Sequence, residues 1–127
     1  MNGQQDRYPL DERFEMRVED AARLHAARGA GGDSGAPPFV LIDIREAEEL
    51  AIASIEHAVW IPMGELGTRI NEIDAGEEGT IGLICHTGRR SLAAAIALQR
   101  AGLDEVRSVA GGIEAWSLRV DAGVPRY

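Results

Sequence analysis

The chain has 127 residues, 45% hydrophobic and 27% charged, an ordinary globular mix and one domain's worth of sequence. A chain of this length buries about two-thirds of its unfolded surface, so it can hold a core without disulfides or metal, and disorder of the whole chain is disfavoured. Thirteen cationic residues against 21 acidic ones give a formal charge of -8, which repels phosphate backbones and argues against nucleic acid as a partner.

Residues 1–13 show no hydrophobic period and contain Pro9, so they read as a leader, with residues 14–127 as the domain. Phe14, Met16 and Val18 alternate like a short edge strand. Glu19 to Arg28 reads as a helix closed by Gly29, and the Gly-rich run from Gly29 to Pro38 as a loop. The segment before that loop is too short for a core of its own, which places the loop within one domain. Phe39 to Ile44 is a continuous apolar run, as in a strand buried on both faces. Glu46 to Ala53 follows as a short helix with acid near its start, Ala58 to Ile61 as a strand stopped by Pro62, and Gly64 to Ile73 as a helix. Ala75 to Gly79 is turn-rich, and Thr80 to Ile84 is another buried strand. Ser91 to Ala101 is a helix apolar nearly all round, so it must be well covered. Glu105 to Val109 is a strand, and Gly111 to Arg119 a last helix entered through a Gly pair. Strands separated by helices predict an α/β fold with a mostly parallel sheet.

The chemistry is narrowed by two absences. Every cationic side chain is Arg, so a Schiff-base lysine, a phosphate-loop lysine and a lysine general base are all excluded. A single Cys allows neither an intramolecular disulfide nor a multi-Cys zinc site, and fits a reducing compartment. His25, His57 and His86 show no metal-ligand spacing, so neither metal nor cofactor is expected. The polar N-terminal stretch has no apolar core like that of a signal peptide, and the longest apolar stretch, around Leu92 to Leu98, is too short to span a bilayer. The expectation is a cytoplasmic protein with no membrane partner.

The informative segment runs from Ile84 to Ser91 and joins a buried strand to a helix. In parallel sheets, ligands bind beyond the carboxyl ends of the strands, where Cys85 sits. Gly88 lets the backbone curl so that amides turn inward, the next helix aims its N-terminal dipole at the same spot, and Arg89 and Arg90 add positive charge. All three effects favour a thiolate over a thiol. A lone Cys is ordinarily a small buried hydrophobe, but a structural Cys needs neither the Gly nor the paired Arg. Asp43, Arg45, Glu46, Glu48 and Glu49 read as capping and salt-bridge residues at a helix start rather than as an acid/base cluster. Trp60 and Trp116 read as core or rim aromatics.

Cys85-His86-Thr87-Gly88-Arg89-Arg90-Ser91 resembles the active loop of single-domain rhodanese-like sulfurtransferases, C-x-x-G-x-R-S. Leu41 to Glu46 resembles the family's L-[IV]-D-[VI]-R-E motif, Ile61-Pro62 with Leu66 its I-P segment, and Gly111-Gly112-Ile113 with Trp116 its late G-G motif. Val124-Pro125 suits the closing segment of many members, so the best-matching core spans residues 39–125. One departure stands out. Many members carry a Gly-His pair before the second of these strands, whereas here the stretch is Ala53 to Ala58, with His57 where a Gly is common.

The resemblance implies a three-layer fold with helices on both faces of the sheet. It also implies an enzyme. Cys85 would take sulfane sulfur from a donor such as thiosulfate, hold it as a persulfide, and pass it to a nucleophilic acceptor. Loop amides from His86 to Arg90 would hold the outer sulfur, with a further hydrogen bond from Thr87. Arg90 would brace the loop through carbonyls or a carboxylate, and Arg89 would draw an anionic donor. Asp43, Arg45 and Ser91 would support the loop, while His86 either tunes the local charge or is idle. Cysteine phosphatases use C-x5-R, one residue longer, and a shorter cradle suits one sulfur atom better than a tetrahedral phosphate. The alternative reading is a sulfur-carrier or regulatory module that serves a protein acceptor, with little turnover on small ones.

Overall fold

The computed structural model describes residues 10–29, 38–76 and 78–127. Along the chain these form β1 (Glu15–Met16), α1 (Val18–Gly29), β2 (Phe39–Asp43), α2 (Ala47–Ile52), β3 (Val59–Trp60), α3 (Met63–Arg69) with a 3-10 turn at Ile70–Glu72, β4 (Thr80–Ile84), α4 (Arg89–Arg100), β5 (Val106–Val109) and α5 (Gly112–Arg119). The sheet order is β1-β5-β4-β2-β3, and every pairing is parallel.

Strand alternation divides the core between two faces. Val40 and Ile42 of β2, Ile81 and Leu83 of β4 and Val106 of β5 join Leu66 of α3 and Ala94 and Ala95 of α4. Phe39 and Leu41 point the other way, toward Val18 and Ala21 of α1 and Ile113 and Trp116 of α5. Burial on both faces is why β2 reads as an unbroken apolar run. The result is the predicted α/β architecture, a parallel sheet between helical layers. Helix α2 buries no side chain.

The elements differ from the sequence expectation where glycine and packing intervene. The helix expected over Gly64 to Ile73 is α3 followed by the separate 3-10 turn. Helix α4 starts at Arg89, because Gly88 at φ 96° turns the chain directly into its first residue. Helix α4 is less well covered than its apolar composition suggests. Ala93 and Ala97 are exposed, on a stripe with Arg89 and Arg100, and alanine methyls present little apolar area to water. Residues 1–9 of the expected leader lie outside the described residues, as do residues 30–37 of the Gly-rich loop and Glu77 of the turn after it. Asp11 to Arg13 form a turn fastened to the domain. The Gln99 side chain donates to the Arg13 carbonyl, and Arg107 Nε donates to the Glu12 carbonyl at 3.2 Å. No helix of the described residues is long and apolar enough to cross a membrane.

His57 has φ 71°, the only positive φ at a non-glycine among the described residues. The turn before β3 therefore asks for a left-handed residue, and the chain supplies one with a Cβ. That conformation costs an L-residue about 1–2 kcal/mol. The His57 side chain is largely exposed, so removing it sacrifices little packing. His57→Gly is expected to stabilise the domain by about 1 kcal/mol, less the extra flexibility glycine brings to the unfolded chain. A urea unfolding midpoint no higher than that of wild type would show that any strain in the turn does not exceed glycine's entropic cost.

Candidate active site

Cys85 follows β4 directly and is 1% exposed. Its Sγ receives the Gly88 N–H at 3.2 Å and the Ser91 N–H at 3.3 Å, and lies 3.3 Å from Ser91 Oγ. These donors converge because the loop's carbonyls are engaged elsewhere. Cys85 O accepts from the Ile113 amide at 2.8 Å, and His86 O accepts from the Glu114 amide at 3.0 Å. The free amides at the start of α5 thus hold the loop's outward carbonyls, which leaves its amides facing the sulfur. This approach requires glycine. A Cβ at Gly112 would sit 2.5 Å from both carbonyl oxygens, and one at Gly88 would sit 2.9 Å from the Gly111 amide nitrogen.

Arg90 braces the loop from below. Its two terminal nitrogens donate to the two Glu49 carboxylate oxygens at 2.9 and 2.8 Å. This fork is the strong bidentate form of an ion pair. The Arg90 guanidinium is the largest cause holding the Glu49 carboxyl down from 4.5 to about 2. Glu49 in turn raises Arg90. Glu49 Oε1 also accepts the Glu46 N–H at 3.0 Å, the capping role expected of these acids.

Tyr127 ties this brace to a second ion pair. Its hydroxyl donates to Glu49 Oε2 at 2.8 Å and accepts from Arg45 Nη1 at 3.0 Å, while its ring stacks on His86 with centroids 4.0 Å apart. Burial is the largest cause raising its phenol. Arg45 is 0% exposed and holds Asp43 through Nε at 2.9 Å and Nη2 at 2.7 Å, with Nη2 also donating to Ala53 O at 2.7 Å. Its own carbonyl accepts the Trp60 Nε1–H at 2.8 Å, which makes the half-exposed Trp60 a rim residue. Trp116 is a core residue.

The sequence candidates therefore divide. Cys85, Gly88 and Ser91 meet at the sulfur, and Arg90 stands behind the loop. Asp43 reaches the loop only through Arg45 and Tyr127. Thr87 and Arg89 are exposed, and neither is bonded to the sulfur. His86 is half-buried under Tyr127 and borders a mouth cavity of about 440 Å³ with Thr87, Glu114, Arg126 and Tyr127. No group of three metal-ligating side chains occurs among the described residues. Tyr127, Ser108 and the pairing of Glu49 with Arg90 escaped the sequence reading. Only Ser108 carries a local signal, as a hydroxyl two positions from Val106 on the inward face of its strand.

The Rhodanese-like domain family matches residues 21–119. A Bacillus subtilis protein named as a sulfur carrier, YrkF, is 40% identical over 77 residues, covering 61% of this chain and 40% of its own. An Arabidopsis thaliana adenylyltransferase and sulfurtransferase, MOCS3, is 29% identical over 102 residues, covering 69% of this chain and 22% of its own. The chain thus spans less than half the length of these curated relatives. A rhodanese-related protein of Thermoplasma volcanium superposes with a TM-score of 0.61 at 28% identity, covering 88% of this chain and 95% of that one. With the parallel sheet and the cysteine loop in the arrangement described, the chain belongs to the rhodanese-like domain family.

Proposed function

We propose that the protein is a sulfurtransferase that carries sulfane sulfur as a persulfide on Cys85. The observation that carries this reading is the cradle of two amides and one hydroxyl around a single buried sulfur. Such a cradle stabilises negative charge on sulfur, and the loop that forms it is one residue shorter than the C-x5-R of cysteine phosphatases. The Cys85 thiolate attacks the outer sulfur of a donor such as thiosulfate, the S–S bond of the donor breaks, and sulfite leaves with the electron pair. The new terminal sulfur is anionic and extends toward the mouth, where Thr87 can donate a hydrogen bond. A nucleophilic acceptor then bonds to that sulfur, and Cys85 departs as thiolate. Arg89, exposed in the first turn of α4, draws the anionic donor, and no metal or cofactor takes part. A reducing, cytoplasmic setting keeps the thiol available.

A second reading has specific support from the sulfur-carrier relative. In it the loaded Cys85 serves a protein acceptor and turns over slowly with small ones.

Intact-mass measurement after incubation with thiosulfate is expected to show a reducible gain of one sulfur atom in wild type and none in Cys85→Ser. No gain with either thiosulfate or a persulfide donor would overturn both readings. Loading followed by cyanide turnover supports the enzyme, and loading without it supports the carrier.

The brace makes a separate prediction. A carboxyl held below its ordinary value stabilises the fold above that value and loses the contribution on acidification. For Glu49 the contribution is complete above about 4.5 and gone below about 2. Wild type should therefore exceed Glu49→Gln in unfolding free energy at neutral pH, with the gap narrowing as pH falls through that window. A gap independent of pH would show that the carboxylate charge contributes nothing to the brace.

A further inference from the structure

Ser108 lies on β5, opposite Leu83 of β4 in the parallel register. Strand alternation puts it on the same face as Val106, in the row that packs against α4. That row is otherwise apolar. Ser108 is nevertheless 0% exposed, and a buried hydroxyl is unfavourable unless it is hydrogen-bonded. Its Oγ lies 2.7 Å from Ser91 Oγ, which lies 3.3 Å from Cys85 Sγ. The three atoms form a buried chain from a sheet strand to the reactive sulfur.

We infer that Ser108 is a positioning residue for the sulfur chemistry, orienting the Ser91 hydroxyl so that it donates to an anionic Cys85. The argument is a count of donors. With Cys85 as thiolate, Ser91 O–H donates to the sulfur and Ser108 O–H donates to Ser91 Oγ, so both hydroxyl protons are used. A thiol that donates to Ser91 reverses the chain. Ser91 O–H then turns to Ser108 Oγ, and Ser108 O–H has no second acceptor among the described residues. A thiol that leaves the chain unreversed offers Ser91 only a weak acceptor. The direction of the chain is thus coupled to the charge on sulfur, and Ser108 favours the anion without touching it. Without Ser108, nothing donates to Ser91 Oγ, so the Ser91 hydroxyl is no longer polarised toward the sulfur and its bond there weakens.

The inference rests on the reading of Cys85 as the sulfur-bearing thiolate, so its test needs a readout independent of transfer. Alkylation of Cys85 by iodoacetamide, followed against pH, reports the thiolate directly. The variants are Ser108→Ala and the matched pair Ser108→Thr and Ser108→Val. Thr and Val have nearly the same shape, so any strain from added volume is shared and only the hydroxyl differs. The charged and titratable groups around the loop stay the same in every variant: Arg90 on α4, Asp43 and Arg45 at the end of β2, Glu49 on α2, Glu114 on α5, and His86 and Tyr127 at the mouth. Ser108→Ala and Ser108→Val should react about fivefold more slowly than their hydroxyl-bearing counterparts on the acidic limb, with the midpoint moved to higher pH. Persulfide loading should slow in the same order. Superimposable profiles for wild type and Ser108→Ala, or for Thr and Val, would overturn the inference. Wild type that alkylates normally but never loads sulfur would overturn the functional reading and leave the relay to be judged by the alkylation profiles.

Discussion

The site depends on two hydrogen bonds that do not touch the sulfur. The Cys85 and His86 carbonyls are held by the Ile113 and Glu114 amides at the start of α5. A backbone that commits its carbonyls outward must present its amides inward, so this docking creates the donor cradle. Gly112 makes the docking possible, since any side chain there would occupy the place of the carbonyl oxygens. The late Gly pair is therefore part of the cysteine loop's geometry, although it lies more than twenty residues downstream.

Around that contact the polar groups are layered. Closest to the sulfur are hydroxyl and amide donors, which carry no net charge. The ion pairs lie further out: Arg90 with Glu49, and Arg45 with Asp43, linked by the Tyr127 hydroxyl. A full positive charge in contact with the sulfur would hold a thiolate strongly but weaken it as a nucleophile, because nucleophilicity falls with basicity. Neutral donors orient the sulfur at a smaller penalty, and the arginines are left to stiffen the frame.

Much of this was legible in the sequence where the cause is local. The apolar runs of β2 and β4 and the Gly-containing loop between β4 and α4 are short-range patterns, and the structure places them where the patterns indicate. The bracing role of Arg90 was expected, but the partners that fulfil it were not legible, for the opposite reason. Glu49 and Arg90 are 41 positions apart, and Tyr127 lies 78 positions from Glu49, so their pairing exists only once the sheet has assembled. Ser108 was passed over because a serine within a strand reads as a neutral filler until its neighbours are known. The cover on α4 was misjudged because alanine counts as apolar in a pattern yet exposes too little surface to demand burial. At His57, the departure from the family pattern marked a turn that keeps its left-handed backbone without glycine.

The outer strands β1 and β3 are two residues long. A strand at the border of a sheet offers unpaired amides and carbonyls on which another chain can add. Here each border strand offers only a residue or two, while all of the longer apolar strand β2 and all of β4 but Thr80 are buried. Among the described residues the fold therefore gives little template for β-type self-association. The stretches most prone to it become available only when the sheet itself comes apart, so its resistance to aggregation is set by how seldom it unfolds rather than by its surface.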